Sequence, residues 1–266
     1  MEIFRDLKAM LDYFFRGNWE DYRFPLFTPV HFLLMGLTLA GIWMIRNWRE
    51  PLKRDPRQRL RRFLIGGLLL EQVTQYGWYA LAGTFTLGDG LPLYICRTAI
   101  LAILLALLTR QSWARHLAVY WGTFGGVLAL VFPVVYPMHF PHVTSFTYFG
   151  GHLLMVWAVA YLLAVEEIRL TRQGLIFSLF FTNAFNLFVL WLNPRIQGNY
   201  SYFEFPPMFS EQLSQLPRPV YLGAVFLIYN LLFLLIHRVF RPTASPGQNP
   251  DNDRAAITAA THQNKE

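Results

Sequence analysis

Cys96 and His152 are the two residues of this sequence whose types and positions suit covalent chemistry. Cys96 is the only cysteine, it follows Pro92 near the start of an apolar segment, and Arg97 is its neighbour. A helix N-terminus, a guanidinium and an imidazole each favour the thiolate, which is the nucleophilic form of cysteine. The reaction that fits is acyl transfer, in which the thiolate attacks an ester carbonyl and the protonated imidazole gives the leaving alcohol its proton. The alternative is an inert buried cysteine that packs as a small hydrophobe.

The composition predicts the kind of protein that positions these residues. Apolar residues make up 54% of the chain and charged residues 15%. The apolar residues fall in blocks of roughly 20, the helix length that crosses a hydrocarbon core about 30 Å thick. The sequence therefore predicts an all-α polytopic membrane protein with seven transmembrane helices in one bundle. The predicted spans are 27–45, 63–83, 91–108, 113–133, 146–166, 174–193 and 219–240.

Positive charge predicts the orientation of this bundle. The connection after the first span, residues 46–62, is the most basic part of the sequence, whereas the connections around Asp89 and around 139–142 contain no Lys or Arg. Short cytoplasmic connections are enriched in Lys and Arg. We therefore expect a cell (inner) membrane protein with its N-terminus outside and its C-terminus in the cytoplasm. The net charge of +7 then comes mostly from Lys and Arg in the cytoplasmic connections, and no nucleic-acid partner is expected.

Two flanking segments complete the predicted organisation. Apolar side chains recur at helical spacing within residues 2–15, with charges between them. This pattern predicts that residues 1–26 form an amphipathic segment in the membrane interface. The seven-helix domain covers residues 27–240. Residues 241–266 are polar and rich in turn formers, which predicts a disordered cytoplasmic tail.

The polar residues inside the predicted spans gather toward the outer end of the bundle. With a helical rise of about 1.5 Å per residue, Cys96 and Arg97 lie roughly 8 to 9 Å below the outer boundary, and His152 lies at about the same depth. The inner half of the third span, residues 99–108, is almost purely aliphatic. This layering predicts a polar pocket open to the outer leaflet. Its further candidate members are Tyr94, Tyr148, Asn183, Asn186, Gln75 and Tyr76.

Glu71, on the second span, is the deepest ionisable residue. A lone carboxylate at that depth either takes up a proton or finds a cation. Its axial offset from Arg97 is roughly 9 Å by the same helical rise. This offset predicts an Arg97–Glu71 pair if the second and third spans are neighbours, and the alternative is that Glu71 hydrogen-bonds Gln72, Gln75 or another helix.

Two outer connections add further candidates. His139 and His142 stand between prolines without a carboxylate, so no zinc site is expected, and surface positions or helix-end hydrogen bonds are the favoured interpretation. The connection after the sixth span contains Asn199 and Tyr200 and is rich in aromatic residues and helix breakers. It fits either a cap that covers a lipid or ordinary interfacial anchoring by aromatic residues.

Short motifs in a fixed order resemble those of the YwaF and transmembrane protein 164 family. The motifs are Leu91-Pro-Leu-Tyr-Ile-Cys96, Gly125-Gly126 with Phe132-Pro133, Phe140-Pro-His142, Gly151-His152 and Gly198-Asn199-Tyr200. The resemblance implies seven spans and a relationship to membrane lipid acyltransferases and, more distantly, to androgen-induced lipid hydrolases. The eukaryotic member is similar to a transacylase that moves fatty acyl chains between phospholipids, and its cysteine and histidine map onto Cys96 and His152. Tyr94 stands where bacterial members tend to have histidine.

The residues and the resemblance together favour a phospholipid acyltransferase or transacylase that works through an acyl thioester. No metal or soluble cofactor is expected, coenzyme A included, and the predicted partner is a membrane phospholipid or lysophospholipid. The competing interpretations are a lipid or small-solute transporter or flippase, which needs a polar path to both faces, and a receptor-like sensor. The oligomeric state stays open. Cys96 and His152 are the predicted catalytic pair, and the predicted substrate-binding residues are Arg97, Tyr94, Glu71, Gln75, His142, Asn186, Asn199 and Tyr200.

Overall fold

The protein is a helical bundle in the computed structural model, which describes residues 2–241. All regular structure in that range is helical. Seven long helices form the bundle, and short helices and turns lie at its two ends. In chain order the elements are α1 (Glu2–Phe14), α2 (Pro29–Asn47), α3 (Arg49–Arg54), α4 (Arg59–Ala82), α5 (Leu87–Gly90), α6 (Ile95–Thr109), α7 (Ser112–Val131), α8 (Val143–Ala164), α9 (Arg172–Ile196), a 3-10 turn (Tyr200–Tyr202), α10 (Ser210–Leu213) and α11 (Arg218–Phe240).

Each predicted span coincides with one long helix, namely α2, α4, α6, α7, α8, α9 or α11. Four of these helices, α2, α8, α9 and α11, are long and apolar enough to cross a membrane. Helix α6 is apolar but has only 15 residues. The chain is thus a helical membrane protein of the multi-pass kind, and the full count of seven spans stays a prediction.

Small residues allow the helices to pack closely at the centre of the bundle. The most extensive packing joins α7 to α6 and to α8, and α4 to α8. Gly122 on α7 lies directly against Val159 of α8 and Ile103 of α6. Small residues at such contacts let membrane helices approach closely, which increases van der Waals contact. Ala99, Ile103 and Leu107 of α6 are fully buried in this contact region, so an apolar layer fills the bundle below Cys96.

The N-terminal segment and three connections lie together at one end of the bundle, which we call the Cys96 end. The side chain of Arg16 donates hydrogen bonds to the carbonyl oxygens of His139 (2.7 Å) and Pro141 (3.3 Å). Gly88 of α5 packs against the backbone of the α9 C-terminus at Ile196 and Gln197. These contacts bring the connections around residues 83–94, 132–142 and 197–209 to the same end.

The basic connection lies at the opposite end, which we call the Arg110 end. There the Lys53 ammonium forms an ion pair with the Glu167 carboxylate at 2.6 Å. Tyr120 and His237 share a hydrogen bond of 2.9 Å, which places the last turn of α11 at this end as well. The structure therefore separates the N-terminal segment from the end of α11, and the membrane side that each faces stays a prediction. The predicted tail lies, apart from Arg241, outside the described residues.

Helix α1 presents an apolar face that nothing in the described chain covers. Phe4 is 77% exposed and Met10 61% exposed, although both belong to a regular helix. An exposed apolar stripe on a helix beside a membrane bundle is typical of an interfacial helix. After α1, Arg16 holds the Glu20 carboxylate through two hydrogen bonds of 2.5 and 3.0 Å, and His139 donates its backbone N–H to the same carboxylate.

The attachment of the N-terminal segment is expected to weaken in acid. The pKa of the Glu20 carboxyl lies well below its usual range, chiefly because Arg16 donates to it and because the His139 N–H adds a further bond. A carboxyl with a depressed folded-state pKa stabilises the fold fully above its unfolded pKa of about 4.3, and the contribution is lost as the pH falls through the folded value. We expect Glu20→Gln to raise amide hydrogen exchange in residues 2–20 at neutral pH, with the difference from wild type beginning to shrink below about pH 4 and disappearing only as the pH falls through the depressed folded-state pKa of Glu20. Asp21→Asn, at the exposed neighbouring carboxylate, serves as control, and a difference that persists unchanged in acid would contradict the prediction.

Candidate active site

Cys96 lies in the first turn of α6, as the sequence predicts. The helix begins at Ile95, and the residue before it, Tyr94, has an extended backbone and makes no side-chain cap. The backbone N–H groups of the first turn therefore have no intrahelical acceptor. The N–H of Arg97 is directed toward the Cys96 sulfur. These donors favour negative charge at the start of α6.

Gly125 of α7 brings a second helix against Cys96. A Cβ atom added at Gly125 would lie 3.2 Å from the Cys96 Cα, which is closer than most side chains tolerate. The next residue, Gly126, faces the opposite direction and contacts Met155 and Val156 of α8. The two glycines therefore let α6 and α8 approach α7 at the same level, with Cys96 on one flank and the His152 turn on the other.

His152 presents an unused ring nitrogen within the bundle. Its Nδ1 lies 2.6 Å from the carbonyl oxygen of Tyr148, and because a carbonyl only accepts, Nδ1 carries the proton and donates it. The other nitrogen, Nε2, then bears a free lone pair, and it is buried with no hydrogen-bond partner. Buried polar atoms without a partner are uncommon in native proteins. No hydrogen bond joins Cys96 to His152 among the described residues, and their shared level along the bundle stays a prediction.

Arg97 is held by a buried polar cluster formed with Asp89, Tyr79 and Tyr136. One guanidinium nitrogen donates to the Asp89 carbonyl oxygen at 2.6 Å, and another donates to the hydroxyls of Tyr79 and Tyr136 at 2.7 and 2.8 Å. Both hydroxyls donate in turn to the Asp89 carboxylate, at 2.8 and 2.6 Å. The charge of Arg97 is thus balanced by Asp89 through two tyrosines.

The expected Arg97–Glu71 pair does not form. The Glu71 carboxylate instead accepts a hydrogen bond of 2.6 Å from Gln72, which is the alternative that the sequence left open. Glu71 packs against Gly151 of α8, so its side chain turns toward that helix and away from the cluster that holds Arg97. One turn farther along α4, Gln75 accepts a 2.8 Å bond from Thr147, and its Nε2 is buried without a partner.

Cys96 and two tyrosines, Tyr148 and Tyr202, are partly accessible. All three are only half-buried, although the helices around Cys96 are closely packed. We call the open region beside these side chains the Cys96 cavity. The Tyr94 ring closes one wall of this region, because it stacks edge-on against Tyr200 with ring centroids 4.8 Å apart.

Asn199 and Tyr200, in the connection after α9, use their side chains to hydrogen-bond the backbone. Tyr200 is fully buried, donates to the Leu87 carbonyl oxygen at 2.8 Å and accepts from the Leu91 N–H at 2.9 Å. Asn199 bonds the backbone of Phe205 through both ends of its amide. The polar groups of both side chains are therefore occupied, and neither contributes to the function proposed below.

Asn186 lies beside the 3-10 turn that contains Ser201 and Tyr202. It accepts a 3.2 Å bond from the Ser201 hydroxyl, and its Nδ2 is buried without a partner. Ser201 and Tyr202 are consecutive residues with φ of 54° and 57°, a conformation that costs energy for residues other than glycine. Ser201 and Tyr202 are thus a pair of residues with strained backbone, and the Tyr202 side chain borders the Cys96 cavity.

His142 acts as the N-terminal cap of α8. Its Nδ1 accepts from the Thr144 N–H, and its Nε2 lies 2.9 Å from the carbonyl oxygen of Arg16. Both ring nitrogens are thus engaged within the protein, and His142 has no free group for substrate. This is the helix-end hydrogen bonding that the sequence favoured for this pair of histidines. Within residues 2–241, no group of three or more His, Cys, Asp and Glu side chains is arranged to hold a metal ion.

Comparison with known families gives a match that covers most of the bundle. The sequence model of the TMEM164 family matches residues 26–237, which is more than half of the chain. The chain belongs to the TMEM164 family. Comparisons with curated proteins and with solved structures give no significant match.

The motifs of this TMEM164 family member converge at the Cys96 end. Gly125 of α7 lies against Cys96, Gly126 lies against Met155 and Val156 of α8, and Gly151 of α8 lies against Glu71 of α4. Gly198 lies 3.1 Å, measured from an added Cβ, from the Gly88 carbonyl oxygen, which joins the last motif to the connection that leads into α6. Motifs far apart in the sequence thus build one polar region.

Asp89, Tyr79 and Tyr136 are the residues of this region that sequence reasoning missed as site components. In the sequence, Asp89 marks an outer connection without Lys or Arg, and nothing in the pattern singles out the two tyrosines. A signal was present, because Asp89 is an acidic residue in the short connection that leads directly to the intramembrane Arg97. An intramembrane cation requires a partner, and the nearest carboxylate in sequence was a candidate for that role.

Proposed function

We propose that this TMEM164 family member is a seven-span membrane enzyme that transfers acyl chains between phospholipids through a thioester on Cys96. The observation that carries the proposal is the buried, unpartnered Nε2 of His152 at the level of the only cysteine. A lone pair kept without a hydrogen bond is available to accept a proton. The basic Arg110 end and the N-terminal segment at the opposite end support an orientation with the N-terminus outside and the α11 end in the cytoplasm.

The first half-reaction takes the acyl chain from a donor lipid. His152 Nε2 accepts the proton of the Cys96 thiol, and the thiolate attacks the ester carbonyl carbon of the donor. The carbon–oxygen bond breaks, the acyl thioester forms, and His152 returns the proton to the departing lysolipid alcohol. In the second half-reaction the hydroxyl of an acceptor lipid gives its proton to His152 and displaces the sulfur, which restores the thiol. Hydrogen bonds between catalytic groups are often long before substrate binds, so we expect Cys96 and His152 to approach when an ester fills the cavity.

Positive potential at the start of α6 supports the charged intermediates. The N–H groups of the first turn of α6 have no side-chain cap, and Arg97 follows Cys96 in the sequence, with its guanidinium held by Tyr79, Tyr136 and the Asp89 carbonyl oxygen. Fixed donors directed at developing negative charge lower the barrier, because they need no reorganisation during the reaction. We assign Arg97 to this electrostatic role, with Asp89 as its positioning residue.

The apolar layer below the cavity supports an enzyme more than a transporter. Ala99, Ile103 and Leu107 of α6, all fully buried, fill the bundle between the cavity and the Arg110 end. A transport path needs polar groups that continue to both faces. The substrate therefore enters and leaves at the Cys96 end, where acyl chains reach the cavity from the adjoining lipid leaflet.

The test is to trap the acyl group. Purified protein in phospholipid nanodiscs is incubated with lysophospholipid, and its intact mass is measured before and after neutral hydroxylamine. We expect wild type to gain the mass of one acyl chain, hydroxylamine to remove it, and acyl chains to appear on the lysophospholipid. Because Cys96 is the only cysteine, any thioester is located without further mapping.

Cys96→Ala is the decisive comparison for that experiment, since it removes the sulfur and leaves the small apolar volume nearly filled. We expect no adduct and no transacylation above background. An adduct of equal yield in Cys96→Ala, or none in wild type after prolonged incubation, would overturn the proposal.

A further inference from the structure

Two cavities adjoin at the Arg110 end, far along the bundle from Cys96. The first is a groove of about 390 Å³ between α2, α3 and α4, and the second is a pocket of about 320 Å³ beside the α6–α7 turn and the end of α8. Leu52 of α3 lines both, so the two cavities adjoin at that side chain. Each volume falls in the range of small-ligand sites, about 300–1,000 Å³.

The groove is lined entirely by apolar and aromatic residues. Leu37, Ala40 and Met44 of α2 form one wall, and Phe63 of α4 contributes to the other. Trp157 of α8 forms the floor, because its ring lies directly over Gly41, where any side chain would collide with it. Such a surface offers nothing to a polar ligand, but it matches a hydrocarbon chain.

The pocket has the opposite character. Lys53, Arg110 and Arg115 bring three cations to it, and Glu166 is its only carboxylate. Arg115 and Glu166 form a 2.7 Å ion pair, yet the Nε of Arg115 and the Oε1 of Glu166 are both buried without a partner. The Glu166 side chain is only 8% exposed, so its free oxygen is directed into the protein at the pocket wall. Lys53 pairs with Glu167 and Arg115 pairs with Glu166, so Arg110 is the cation of this pocket that has no carboxylate partner among the described residues.

We propose that these adjoining cavities bind one anionic glycerophospholipid from the leaflet at the Arg110 end. An acyl chain lies in the groove over Trp157, and the phosphate lies against the Arg110 guanidinium beside the Arg115–Glu166 pair. A hydroxyl of a glycerol headgroup adds a donor for the Glu166 carboxylate once that side chain turns toward the pocket, so the occupant that we name is phosphatidylglycerol. The proposal does not depend on the acyl-transfer reaction, since the two sites lie at opposite ends of the bundle.

The adjoining groove decides between a lipid and a free anion. The cations alone fit inorganic phosphate equally well, but the apolar groove at Leu52 gains no contact from that ligand. A lipid uses both cavities at once. Binding should therefore depend on the charge in the pocket and on the open volume in the groove, and loss of either should weaken it.

The experiment measures lipid binding to the full-length protein in detergent by native mass spectrometry. Phosphatidylglycerol and phosphatidylcholine with identical acyl chains are titrated, with inorganic phosphate as a competitor. We expect phosphatidylglycerol to bind at least about tenfold more tightly, which is the effect of one charge-assisted hydrogen bond. Excess inorganic phosphate is expected not to displace it.

Matched variants separate the two cavities. Arg110→Gln removes charge from the pocket and Ala40→Trp fills the exposed groove, and we expect each to weaken phosphatidylglycerol binding by about tenfold. Arg172→Gln at the same end and Ala80→Trp on the exposed surface of α4 are the controls, because neither residue lines either cavity. Equal affinity for the two lipids, displacement by phosphate, or equal effects of the variants and their controls would each overturn the proposal.

Discussion

Exchange of His152 for glutamine is expected to slow formation of the Cys96 thioester by about 10²- to 10⁴-fold, the usual contribution of a general base. Glutamine keeps much of the side-chain volume but has no group that takes up a proton near neutral pH. The measurement is the rate at which wild type and His152→Gln gain the acyl mass in nanodiscs under single-turnover conditions. The same variant is expected to slow alkylation of Cys96 by a membrane-permeant thiol reagent, which a purely structural role in substrate binding would not do.

The matched control for this prediction is His116→Gln. His116 is also buried, and its Nδ1 also lies against the carbonyl oxygen four residues earlier, Ser112, at 2.8 Å. Its Nε2, however, is taken up by Thr171 at the Arg110 end. We expect His116→Gln to lose a comparable helix hydrogen bond and to leave both rates unchanged. If the two variants slowed acylation alike, the effect would come from lost packing and the role of His152 would be refuted.

Depth along the helices could be predicted from the sequence, because it depends only on helical rise and on where each span begins. The equal level of Cys96 and His152 is of this kind, and the glycine pair of α7 between them agrees with it. The start of α6 was predictable only to within about one turn, because Pro92 suits a helix start but the helix begins three residues later at Ile95, which puts Cys96 in the first turn. The helices themselves were predictable from the apolar segments, because segments of that length and composition form few other structures in a membrane.

The angle around each helix could not be predicted in the same way. Arg97 and Glu71 were compatible in depth, but their side chains leave α6 and α4 toward different neighbours, and only the packing reveals this. The packing also decides which polar groups stay free. The sequence made Tyr200 and His142 candidate site residues in the same way as His152. The polar groups of their side chains, however, are engaged in hydrogen bonds within the protein. The unpartnered Nε2 of His152 is therefore a property of the fold and not of the residue type.

Asp89→Asn is expected to destabilise the protein by about 1–3 kcal/mol, the usual effect of losing hydrogen bonds to a charged group, because half-buried Asp89 balances Arg97 through Tyr79 and Tyr136 and not in a direct ion pair. The substitution keeps the shape of the side chain but leaves Arg97 with only neutral partners, namely the hydroxyls of Tyr79 and Tyr136 and the backbone carbonyl of residue 89. The free energy of unfolding is measured by chemical denaturation in mixed micelles. Arg97→Gln should cost a similar amount, because it leaves the Asp89 carboxylate without its cation.

The double variant distinguishes charge balance from simple loss of contacts. When both charges are removed, no uncompensated ion remains, so Asp89→Asn combined with Arg97→Gln should be more stable than the sum of the two single losses predicts. Glu167→Gln is the control, since Glu167 is 66% exposed and solvent screens its pair with Lys53. Strict additivity of the two single variants would contradict a coupled pair. Restored stability without restored acylation would instead locate the functional role of Arg97 in its charge beside Cys96, which the neutral double variant no longer supplies.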